Sequence, residues 1–74
     1  MNEFGVVLFH TTSAALRGEK VLQRAGLTVK LIPTPREFSS DCGLALRFPW
    51  ALAQEVLAAL AAARVDVAGV REMR

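Results

Sequence analysis

One cysteine, Cys42, lies in the run "SSDCG" of a 74-residue chain. A thiolate is the nucleophilic form of cysteine, and its neighbours decide whether it forms. Ser39 and Ser40 bring short hydroxyl donors able to solvate an anion. Gly43 leaves the backbone open beside the sulfur, whereas the charge of Asp41 opposes a second anion next to it. Arg36, earlier in the same two-proline segment "PTPREFSSDCG", is a candidate anion partner, and the lone histidine, His10, is a second candidate cation. Such a set can hold a transferable group on sulfur. The opposite reading is equally physical, because a lone cysteine often packs as an inert, small hydrophobe. One Cys and one His do not fill a tetrahedral zinc shell, so neither a metal site nor a cofactor is expected.

The elements that must position these residues follow from the hydrophobic pattern. "FGVVLF" is apolar, β-branched and aromatic, a strand covered on both faces. "HTTSAALRGEKVLQRAG" predicts a helix capped by Thr11 or Thr12 and stopped by Gly26, with Ala14, Gly18, Val21, Leu22 and Ala25 on one face. "LTVKLI" alternates and ends at Pro33. "GLALRF" alternates again, turning Leu44, Leu46 and Phe48 inward and Ala45 and Arg47 outward. From Pro49, "WALAQEVLAALAAAR" predicts a second helix with Trp50, Ala53, Val56, Leu57, Leu60 and Ala61 on one side. "VDVAGVREM" predicts a last strand, with Gly69 as a bulge or irregular end.

That order is βαββαβ. Short right-handed connections wind it into one α+β domain over residues 1–74: a ferredoxin-like four-stranded antiparallel sheet with two helices on one face. The start of strand three then shares a sheet edge with the end of strand one and the start of helix one. Cys42 is expected there beside His10 and the helix N–H groups around Thr11, Thr12 and Ser13, which favour a thiolate. Trp50 and the four phenylalanines are expected in the core.

The bulk properties remove several function classes. A single cysteine cannot form an intramolecular disulfide, no basic leader opens the chain, and the first apolar run is too short to span a membrane. A cytoplasmic protein with no membrane partner is expected. The net charge is +2, but the basic residues are scattered. Outward aromatics, which ferredoxin-like sheets use on single strands, are missing from strand three, so no nucleic acid partner is expected. No phosphate loop or nucleophile elbow occurs. A thin core and a sheet face without helices together predict a homodimer across that face.

The segments "FHTTSAALRGEKVL" and "LIPTPREFSSDCGLALRF" carry a resemblance. The chain resembles, over nearly its whole length, a family of small bacterial selenium/sulfur carrier-like proteins. The resemblance implies that Cys42, the motif cysteine, holds sulfane sulfur or selenium and exchanges it with donor and acceptor proteins, as a carrier more than a catalyst. A second function stays open: a small homodimeric binding or regulatory module, in which the loop grips an anion and Cys42 only packs.

Overall fold

The computed structural model describes residues 3–38 and 43–73. Strand β1 (Phe4–Leu8) leads to helix α1 (Thr12–Arg24), then to strands β2 (Lys30–Pro33) and β3 (Leu44–Pro49). A 3-10 turn (Trp50–Leu52) enters helix α2 (Ala53–Ala62), and strand β4 (Gly69–Met73) closes the sheet. The order β2-β3-β1-β4, antiparallel throughout, is the ferredoxin-like arrangement that the sequence pattern predicts. β1 occupies the centre beside β3. Leu8 pairs with both Ala45 and Gly69, and Ile32 pairs with Ala45, so the end of β1, the end of β2 and the start of β3 share one edge.

One core lies between sheet and helices. Val7, Phe9, Leu46 and Phe48 meet Ala15, Leu22, Val56 and Leu60, all fully buried or nearly so. Gly18 permits this approach: a Cβ there would stand 3.0 Å from the Phe9 ring and 3.4 Å from Leu46. The helix faces are narrower than the sequence pattern predicts, since Ala25 and Ala61 are exposed and Leu57 is 40% exposed. Arg17 ties the helices together by donating from Nη2 to the Ala63 carbonyl at 2.8 Å, satisfying an orphan acceptor at the end of α2.

Both helices stop in the same way. At α1, Gly26 takes φ +80°, its N–H reaches the Gln23 carbonyl, and the Leu27 N–H reaches the Leu22 carbonyl. At α2, Arg64 takes φ 57° and Val65 donates to the Leu60 carbonyl. Each is a Schellman end, and each sends the next apolar residue, Leu27 or Val65, to the core. The second helix therefore stops at Ala62 rather than running to Arg64. Gly69, expected as an irregular end, instead opens β4, while Val65 and Val67 pack on the core ahead of that strand.

The sheet face away from the helices is not bare. Val6, Leu8 and Ala45 are buried there under Ile32, Phe38 and Met73. Ala45 thus faces a second, smaller core instead of solvent. Phe38 reaches it from the loop, and Phe4, expected inside, is 37% exposed.

Candidate functional site

Extended backbone leaves β1 at Leu8, and the fold must turn it through His10 into α1. Thr11 makes that turn as N-cap. Its backbone is extended (φ −136°, ψ 154°), and its Oγ1 accepts the Ala14 N–H at 3.1 Å. The Thr11 carbonyl accepts from Ala15 at 3.2 Å. His10, Thr11, Thr12 and Ser13 are all exposed, so the positive end of the α1 dipole opens to solvent beside the only histidine.

On the neighbouring strands, Pro33 and Pro35 end β2 and stiffen the exit from it. The Thr34 N–H donates to the Gly43 carbonyl at 2.9 Å, pinching the base of the loop. Gly43 is exposed and precedes β3 at the edge where β1 ends. Beyond Thr34 the chain forms a tight turn in which the Phe38 N–H donates to the Pro35 carbonyl at 3.0 Å. Arg36 lies in that turn, exposed, while Phe38 reverses direction and packs under the sheet.

The sequence-predicted residues thus fall into two described groups at one sheet edge, His10 to Ser13 and Gly43, with Arg36 in the turn above. Ser39, Ser40, Asp41 and Cys42 lie outside the described residues. Two residues outside the candidate set anchor the segment: Thr34 through its backbone, and Phe38, expected in the core, through its ring. Phe38 carried a signal, because one large apolar side chain among turn formers and charges usually has somewhere to pack.

Among the described residues no polar or charged side chain is buried. No three His, Cys, Asp or Glu side chains among them converge as metal ligands. No described helix is long and apolar enough to cross a membrane.

Comparison with known proteins agrees with the sequence motif. The family model described as "Putative Se/S carrier protein-like" matches residues 4–72. An uncharacterised protein of Escherichia coli (strain K12), YtiA, is 39% identical over 46 residues, a match covering 62% of this chain. That match spans 53% of the relative's own length. No solved structure matches.

Proposed function

The chain belongs to the Se/S carrier protein-like family, and from that premise we propose that it carries a sulfane sulfur or selenium atom on Cys42. In the loading step the Cys42 thiolate attacks the terminal sulfur of a donor persulfide. The new S–S bond forms as the donor's own S–S bond breaks, and the electron pair leaves on the donor thiolate. An acceptor nucleophile then attacks the terminal sulfur and releases the Cys42 thiolate. Neither step needs an external oxidant or reductant.

The observation that supports this reading is the pinch between Thr34 and Gly43. It anchors the residue after Cys42 at the edge that also carries the capped, solvent-facing start of α1. A helix N-terminus stabilises anions within about one turn, and a persulfide is an anion at neutral pH.

Intact-mass spectrometry of protein taken from cells without reductant tests it. A mass increment of one sulfur or one selenium, absent from Cys42→Ser and removed by thiol, is the expected result. Native protein that stays unmodified after incubation with a persulfide donor overturns the carrier and leaves the binding module.

A further inference from the structure

The sheet face away from the helices carries a charge pattern that is invisible in the linear sequence. Lys30 pairs with Arg47, Arg47 with Val6, and Val6 with Arg71. Val6 belongs to the second-face cluster, so all four residues lie in one row on that face. Three cationic residues from β2, β3 and β4 therefore cross the sheet, the backbones at Arg47 and Arg71 about 10 Å apart over two strand spacings, with the Arg71 Nη1 donating to the Val70 carbonyl at 3.0 Å. Among the described residues none of the three pairs with a carboxylate.

The next row holds an aromatic. Phe4 shares the face with Val6, is 37% exposed, and has the Arg47 guanidinium 4.6 Å from its ring centroid. Beside the pair opens a hollow of about 60 Å³, lined by Phe4, Thr28, Lys30, Arg47 and Pro49 among others. Ile32, Phe38 and Met73 cover the apolar part of the face. What remains open is a cationic row next to an exposed ring.

We infer that this face binds single-stranded nucleic acid, with Lys30, Arg47 and Arg71 on phosphates and a base stacked against Phe4 or the Arg47 plane. A basic surface alone would suit any polyanion. The exposed ring and its guanidinium partner favour a ligand with flat, unpaired bases, since stacking on aromatic and Arg planes is how single strands are held. A duplex hides those planes, and an acidic peptide has none. A second copy of this chain is disfavoured too, because face-to-face stacking would set three cations against three cations. The expectation that nucleic acid is no partner came from the outward residues of strand three alone. The aromatic stands on β1 and the flanking cations on β2 and β4.

Fluorescence anisotropy with a labelled oligothymidylate of about a dozen nucleotides tests this, with a duplex and polyglutamate as competitors. Binding should weaken steeply between about 50 and 200 mM salt. Lys30→Gln and Arg71→Gln, both at exposed positions, should each flatten the log–log salt slope by about 0.7. Phe4→Leu keeps an apolar side chain but removes the plane, and should lower affinity about fivefold or more at every salt concentration. Undetectable binding, equal affinity in Phe4→Leu, or equal competition by polyglutamate or duplex overturns the proposal. So does a wild-type dimer, seen by sedimentation, that Arg71→Gln makes tighter.

Discussion

Trp50 lays its indole over Gly5, so the space that a side chain at residue 5 would fill belongs to aromatic rings. A Cβ built there would come within 2.8 Å of both Phe48 Cζ and Trp50 Cζ3. The two rings stack at 5.9 Å with 25° between their planes, and the Trp50 backbone N–H is fixed to the Glu3 carbonyl at 2.9 Å. Neither ring has an easy retreat. Gly5→Ala should therefore lose about 1–3 kcal/mol, the usual range for overpacking. Urea unfolding followed by the fluorescence of Trp50, the one tryptophan, measures this, and a stability equal to wild type contradicts it.

Arg64 holds a left-handed conformation that glycine adopts without penalty. Arg64→Gly should raise stability by up to about 1 kcal/mol, the relief of strain being partly offset by greater freedom in the unfolded chain. Gly26→Ala, at the matching position of α1, should move stability the other way by a similar amount. Thermal unfolding of the two variants side by side is the check.

Phe38→Ala uncovers Val6, Leu8 and Ala45. The loss should fall below the roughly 3–5 kcal/mol of a fully buried phenylalanine, because this ring is only half-buried. Two further effects should accompany it: sedimentation at micromolar concentration should show more self-association, and backbone amides from Thr34 to Phe38 should exchange faster. Unchanged exchange would mean that the ring does not anchor the loop.

Thr11→Ala removes the side-chain acceptor of the Ala14 N–H and should reduce stability by about 1 kcal/mol, with Thr11→Ser restoring most of it. The carrier reading adds a chemical expectation. Iodoacetamide should reach Cys42 in the folded protein at neutral pH, Asp41→Asn should quicken the reaction, and His10→Ala should slow it. Modification only after unfolding would exclude a working thiol.

How much of this was legible in the sequence depended on how local each signal was. β1, the two helices and the ferredoxin-like order followed from hydrophobic period, the Thr11 cap and Gly26. The end of α2 did not, because Arg64 occupies a position that glycine usually announces. Ala45, expected outward, is buried because alternation says which residues share a face, but not what a loop folds back to cover. The candidate site was legible as a motif and an edge. Its anchors at Thr34 and Phe38, and the row of cations, depended on registers between distant segments.

The place of β1 has a consequence for how the chain folds. The first strand in the sequence is central in the sheet, and one of its two neighbours is the last, so Phe4 pairs with Met73 and Leu8 with Gly69. Contacts this distant along the chain close slowly, and on the ribosome β1 must wait for β4. Until then its most apolar segment presents an unpaired strand edge to any other chain. A version ending before Gly69 would leave that edge permanently open and should aggregate, whereas joining the end of β4 to the start of β1 by a short linker and opening the chain between residues 34 and 43 should speed folding.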